Sequence, residues 1–448
     1  MAGHKLAAAA SGESVTATLA ADLEQTILAH RPLDIDASWA SEIIFPYYAG
    51  LSIRNLAHTV VRLIGGAAAS GRLGASPLDV RLWASLDDRV RRVVLFITDG
   101  LGWRLLQEIM AEDAATAQVV ADLVGEGTLT PLTSIAPSTT AAALPSIWSG
   151  AGPAATGMVG TRLLLREFGV LASLLHYRPL AGKHRHEVLE DWGLDFETFL
   201  PVETVAEALG ARAIPTYALL QQDLYGSGLS RVMHRGIKRV VRHYGYTDLW
   251  IELRNLLHAT RRNRCFVSVY WGAIDGVSHL FGTVTEQAIA EARCQLRDLR
   301  DVLLGPGVGD GRTLFMLVAD HGHSPVREHL DLSAHPPLTE ALRCGLGGEG
   351  RFAHLYLRYD YRAGVRDYVR ERLGDRLAVF DPAEALRAGL FGPEAPHAET
   401  GPRLGDLTLV AREGVVIDER SRAGSVSASR HGGLSAREML VPLVMRMM

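Results

Sequence analysis

Three short segments of this chain are apolar almost throughout and then stop at polar residues. RVVLFIT (92–98) runs into Asp99-Gly100, CFVSVYW (265–271) into Gly272-Ala273-Ile274-Asp275, and TLFMLVA (313–319) into Asp320-His321-Gly322. A run without polar alternation is what a strand buried on both faces requires, and parallel sheets bury their strands this way. LTLVAR (407–412), shortly before His431, is a fourth candidate. The stretches between these runs read as helices, so the expected fold is α/β, a doubly wound, mostly parallel sheet flanked by helices. Ligands of such sheets lie outside the carboxyl ends of the strands, which is where these polar residues fall.

The rest of the chain is less regular. Residues 43–65 pass from a short loop into an amphipathic helix. Residues 1–42 are Ala-rich and helical in pattern but show no core stripe, and are expected to be an N-terminal extension to one large domain over 43–448. Residues 165–260 lack a strand series and are expected to form a helical insertion or cap. Within them Arg231, Arg235, Lys238, Arg239 and Arg242 fall on one side of a predicted helix, with Met233, Ile237, Val240 and Val241 on the other. Such a face either draws phosphate towards a site or is a solvated surface over core. The Gly-rich stretches 305–311 and 345–350 read as connections, because neither stands between a strand and a helix as a phosphate cradle must.

Composition narrows the class. The chain has 448 residues, 48% of them hydrophobic, with 46 basic and 50 acidic side chains for a net charge of −4. That apolar share supports a large core and excludes wholesale disorder. The charge balance excludes a general nucleic-acid binder. Cys265, Cys294 and Cys344 are odd in number and far apart, which fits free thiols in a reducing, cytoplasmic setting better than a disulfide or zinc-finger framework. The first residues carry no convincing signal-peptide core, and no run approaches the ~18 apolar residues of a membrane span.

Candidate chemistry gathers at the strand ends. Asp99, the pair Asp275 and His279, the pair Asp320-His321, and His431 come from four separate segments. If a helix follows the second run, Asp275 and His279 share one of its faces and can grip one ion. Asp and neutral His are ligands that zinc accepts, and six of them suit two ions better than one. Thr140 heads an Ala-rich helix in PSTTAAALPSIWSG, where free backbone N–H groups favour an oxyanion. Taken singly, Asp99 and Thr140 are also ordinary helix caps, and His431 is an ordinary turn histidine. Their joint order at four strand ends is what points to a metal centre. Trp148, Tyr270 and Trp271 lie near in sequence, either shaping a pocket or filling core. His323 either assists proton transfer or faces solvent, and His184 and His186 read as a polar loop.

That order resembles the alkaline phosphatase superfamily, in its type I phosphodiesterase/nucleotide pyrophosphatase branch, from Pro46 to the C-terminus. The resemblance rests on VLFITDGLG, PSTTAAALPSIWSG with GPAATGMVG, YWGAIDGVSH, VADHGHSPV and RHGGLS followed by EMLVPL. It implies two divalent metal ions, zinc first and manganese or magnesium next. Asp275, His279 and His431 would hold one; Asp99, Asp320, His321 and the Thr140 oxygen would hold the other. It implies Thr140 as nucleophile, with Thr139 the neighbouring alternative, a covalent phospho-threonine, and a small phosphate-containing substrate, nucleotides included. The sequence departs from the family pattern at Thr156, usually His, and at Thr161, where nucleotide pyrophosphatases place a phosphate-binding Asn. Ala141-Ala142-Ala143 adds no cation after the nucleophile, which favours a diester or pyrophosphate over a monoester. A monoesterase, a phosphomutase, a phosphonate hydrolase and a silent metal-bound scaffold are the alternatives on the same fold.

Overall fold

The computed structural model describes residues 17–34, 38–66, 73, 76–419 and 427–448. Its centre is a seven-stranded sheet built from β1 (Arg92–Thr98), β2 (Thr128–Thr133), β3 (Thr216–Gln221), β4 (Arg239–His243), β5 (Cys265–Trp271), β6 (Thr313–Val318) and β7 (Leu440–Met447). Their spatial order is β2-β7-β6-β1-β5-β3-β4. β1 lies parallel between β5 and β6, and β3 lies parallel between β5 and β4. β7 alone runs against its neighbours, β2 and β6. Every residue of β1 and β6 is buried, as the unbroken apolar runs require.

Helices cover the sheet with apolar stripes. In α1 (Glu286–Leu303), capped by the Thr285 hydroxyl on the Ala288 N–H, the residues Ala288, Ala292, Leu296, Leu299 and Leu303 are buried. Their three- and four-residue spacing is one helical face. At the start of β1, away from the carboxyl ends of the parallel strands, Arg92 is buried without a carboxylate. Its guanidinium donates to the Leu257 and Val308 carbonyls at 2.5 and 2.7 Å and to the Thr313 hydroxyl at 3.0 Å, which meets the cost of burying it.

Four expectations need correction. Residues 165–260 are not a helical insertion, since they supply β3 and β4 to the main sheet. These strands are five and six residues long, too short for period alone to separate strand from helix. The single basic helix dissolves for the same reason, because a helix over Gly228–Met233 stops at a turn, where Gly236 adopts φ +80°, and Arg239–His243 is the edge strand β4. LTLVAR belongs to a second, wholly antiparallel sheet, where Leu407–Ala411 pairs with Phe352–Leu355 and Leu377–Phe380. That sheet continues through Gly347–Gly348, Arg162–Leu165, Val170–Ser173 and Arg178–Pro179. The N-terminal segment does carry a core stripe, in a helix over residues 17–28 that buries Leu23 and Ile27, while residues 1–16 and 35–37 lie outside the described residues.

Candidate active site

The carboxyl ends of β1, β5 and β6 and the turn before β7 open at one edge of the sheet. Asp99 follows β1 directly. β5 leads through Gly272 into α2 (Ala273–Phe281), which presents Asp275 and His279 one turn apart. Asp320 and His321 follow β6, and His431 sits in the turn after a two-residue bridge between Ser429–Arg430 and Ser324–Pro325. The structure brings all six side chains together, with Thr140 beside them.

The geometry is compact. His321 Nε2 lies 3.3 Å from Asp99 Oδ1, 3.4 Å from Asp320 Oδ2 and 3.1 Å from Thr140 Oγ1. Thr140 Oγ1 is 3.4 Å from Asp99 Oδ2. Asp275 Oδ1 lies 3.3 Å from His279 Nε2 and 3.6 Å from His431 Nε2, and the His321 and His431 rings stack with centroids 3.8 Å apart. Three ligand groups emerge whose donor atoms lie within 4.8 Å of one another: Asp99, Asp320 and His321; Asp275, His321 and His431; and Asp275, His279 and His323.

The surroundings fit divalent cations. His279 Nδ1 faces the Ser429 carbonyl at 3.0 Å, His321 Nδ1 the Gly322 carbonyl at 3.1 Å, and His431 Nδ1 the Ser138 carbonyl at 3.3 Å. Carbonyls that take the Nδ1–H leave Nε2 as the ligating lone pair. Asp99 Oδ1 and Asp320 Oδ2 are buried without a hydrogen-bond partner, which leaves two anionic oxygens uncompensated by protein. Burial, and then the charges of Asp320 and Asp275, push the Asp99 carboxyl well above its usual range. Burial first of all pushes Asp320 up to about 7. Cations would hold both carboxylates ionised, and the donor set of carboxylate and imidazole is one zinc accepts. Burial, and then the neighbouring His321, hold His431 well below its usual value, which favours the neutral imidazole that an ion would need.

Thr140 opens α3 (Thr140–Ser149) as its first helical residue, and Thr139 occupies the N-cap position. The Thr139 hydroxyl makes no cap bond; it donates instead to Glu349 Oε1 at 2.8 Å. Thr161 joins this group, its N–H donating to the same oxygen at 2.9 Å and its hydroxyl lying 3.3 Å from that of Thr139. Thr156 is fully buried and its hydroxyl accepts from the Met158 N–H at 3.2 Å. Tyr270 donates its hydroxyl to Asp99 Oδ2.

A cavity of about 450 Å³ leads away from Thr140. Leu144 and Trp148 from α3, Leu220 from β3, Leu229 and Met233 form apolar walls, and His186, Glu187 and Asp223 are among its polar lining residues. The region 165–260 thus supplies much of this cavity. Trp271 stays in the core, its indole N–H on Glu291 at 3.0 Å. His186 stacks on His176 at 4.1 Å. The basic residues do not face the site as a patch, since Arg231 pairs with Glu190 at 2.8 Å and Arg235 donates to the Glu197 and Leu200 carbonyls at 2.6 and 2.7 Å.

Sequence reasoning left His323 open between proton transfer and solvent, and missed Glu349. His323 is buried, with Nε2 2.9 Å from Asp275 Oδ1 and Nδ1 3.0 Å from the Ser429 hydroxyl; burial lowers its pKa to about 4. Its place two residues after His321 was the available signal. Glu349 lies in a loop read as a mere connection, and no local pattern marks it.

The chain matches the type I phosphodiesterase / nucleotide pyrophosphatase family over residues 93–434, and belongs to it. It is therefore a hydrolase of the phosphodiesterase/pyrophosphatase type, in a family of metalloenzymes. Solved structures share its fold. Murine ectonucleotide pyrophosphatase/phosphodiesterase 5 is 14% identical with a TM-score of 0.58, matching 78% of this chain and 87% of that one. Phosphonoacetate hydrolase from Sinorhizobium meliloti, in complex with phosphonoformate, is 18% identical with a TM-score of 0.60, matching 80% of this chain and 91% of that one. No curated protein matches the chain by sequence. No helix among the described residues is long and apolar enough to cross a membrane.

Proposed function

We propose that this chain is a two-metal phosphohydrolase that cleaves a phosphodiester or pyrophosphate-type bond, with Thr140 as nucleophile. The observation that carries the reading is the Thr140 hydroxyl, 3.1 Å from His321 Nε2 and 3.4 Å from Asp99 Oδ2, at a helix N-terminus and at one end of a cavity. Asp99, Asp320 and His321 would hold one ion, and Asp275, His279 and His431 the other, with zinc favoured by the carboxylate and imidazole donors. Bound ions would supply Lewis acidity and charge neutralisation at the phosphoryl group. The first turn of α3 directs free N–H groups and positive dipole charge at the incoming phosphoryl oxygens. Thr140 Oγ1 forms a bond to phosphorus as the ester oxygen of the leaving group departs. Water then cleaves the phospho-threonine and restores the hydroxyl. The cavity beside Thr140 receives the apolar part of the ester, and its walls exclude solvent from the reacting bond.

Two neighbours support a small phosphorus-containing substrate: one is a phosphonoacetate hydrolase also solved with phosphonoacetate, the other an inactive variant of the murine phosphodiesterase in complex with AMP. All three cysteines are free, which supports a reducing compartment such as the cytoplasm. The test is turnover of bis-p-nitrophenyl phosphate and p-nitrophenyl phosphate by protein loaded with zinc or manganese. We expect diester turnover that Thr140→Ala abolishes. Turnover that survives Thr140→Ala removes the nucleophile from the proposal, and preference for the monoester overturns the diester reading.

A further inference from the structure

Glu349 reaches the segment that carries Thr140 from outside the metal cluster. Its Oε1 takes the Thr139 hydroxyl at 2.8 Å and the Thr161 N–H at 2.9 Å. Among the described residues its Oε2 takes no hydrogen bond, and no Lys, Arg or His forms an ion pair with it. The side chain is only partly buried, and through the Thr139 hydroxyl it stands next in sequence to Thr140.

Three backbone approaches fix it there. A Cβ on Gly160 would stand 2.6 Å from the Gly348 Cα, so the Thr161 strand and the Glu349 loop touch through two glycines. A Cβ on Gly432 would stand 2.8 Å from the Glu349 Cβ, so the turn that carries His431 closes the other side. The Glu349 N–H donates to the Phe352 carbonyl at 2.8 Å, which makes a tight turn at the loop tip. The carboxylate is therefore clamped between the nucleophile segment, Thr161 and the His431 turn.

A negative charge in this position opposes the substrate's own. The Thr139 hydroxyl and the Thr161 N–H, which would otherwise donate to a phosphoryl oxygen, are already spent on a carboxylate. From these contacts, and resting on the reading of Thr140 as nucleophile, we infer that Glu349 is a charge filter. It admits a phosphoryl group bearing a single negative charge, as in a diester or a phosphonate monoester, and rejects the dianion of a phosphate monoester. A fixed like charge hydrogen-bonded to the residue before the nucleophile, in a half-buried site, is worth on the order of tenfold in affinity.

Glu349→Gln separates charge from structure, because the amide oxygen can still accept from Thr139 and Thr161. Two readouts test it on the metal-loaded full chain. The first is the ratio of kcat/KM for bis-p-nitrophenyl phosphate to that for p-nitrophenyl phosphate, which we expect Glu349→Gln to lower about tenfold, chiefly by improving the monoester. The second is calorimetric binding of inorganic phosphate at pH 8, which we expect to tighten about tenfold. A ratio and a phosphate affinity both within twofold of wild type overturn the filter. So does a Glu349→Ala variant that impairs both esters equally while Glu349→Gln is silent, the pattern of a purely structural clamp. Phosphate binding does not depend on turnover, so a wild type that hydrolyses neither ester overturns the nucleophile reading while the filter is still tested.

Discussion

Arg351 and Glu438 form a buried ion pair, and removing one partner should cost stability measurably. Arg351 Nε and its Nη2 donate to the two Glu438 oxygens at 2.6 and 2.7 Å, with 1% and 0% of the two side chains exposed. Glu438 also accepts from the Gly433 N–H at 2.8 Å and the Ser435 hydroxyl at 2.6 Å, beside the His431 turn. Arg351→Met leaves a buried carboxylate with only these two close donors, a change worth about 3–5 kcal/mol. An unfolding entropy of about 2 cal/mol/K per residue converts this to a midpoint drop of about 3–5 °C for a chain of this length. Arg351→Met with Glu438→Gln should recover about 2 kcal/mol, because the stranded charge is gone. The pH dependence has a definite sign. Burial pushes the Glu438 carboxyl up, but the charge and hydrogen bonds of Arg351, with those of Ser435 and Gly433, outweigh it and hold the group below its ordinary value. The pair's stabilisation is therefore full above about pH 4.5 and fades as pH falls through the lower folded-state value. Without Arg351 burial dominates, so the gap between wild type and Arg351→Met should narrow at pH 4 relative to pH 7. Thermal melts of the metal-loaded proteins check this. A loss under about 1 kcal/mol, or a double variant no more stable than the single one, would refute the reasoning.

Other outcomes can be checked alongside. Asp275→Asn should lower the metal bound per chain, read by elemental analysis, because Asp275 belongs to two of the three ligand groups; unchanged metal content would remove it from the ligand set. Exhaustive chelation should lower the melting temperature as well as activity, since Asp99 Oδ1 and Asp320 Oδ2 have no protein partner, and readdition of zinc should restore both. Gly160→Ala should cost about 1–3 kcal/mol through the clash with Gly348, and a melting temperature equal to wild type would contradict the close approach. Cys265 is buried, and that burial pushes its thiol up to about 11, so maleimide at pH 7 should leave it unlabelled in native protein by peptide mass mapping.

The sequence made the central strands legible and the outer ones obscure for a physical reason. β1, β5 and β6 lie inside the sheet and need mostly apolar residues on both faces, so each leaves a nearly continuous apolar run. β4 is an edge strand with Arg239 and Arg242 exposed, and RVVRH fits a helical face as well as a strand. β7 is disguised by Pro442, which faces Pro131 across the β2–β7 pair, while pairing with β6 begins only at Leu443. The Asp and His residues could be read because each follows a strand or opens the next helix, so local order alone places them at one edge. Glu349 could not, since its position depends on three glycine backbones from distant segments meeting. Nor could the cavity, whose walls come from a region where strand and helix periods were indistinguishable.

The antiparallel strand β7 also governs the order in which the molecule is assembled. It slots between β2 and β6, whose residues leave the ribosome well before it does. Until Leu440–Met447 is synthesised, the nascent sheet presents two raw edges of unpaired backbone, and β6 is an apolar one. Pairing across so long a stretch of chain is slow, because loop closure must precede any gain. The nascent chain is thus exposed to aggregation until β7 docks between β2 and β6.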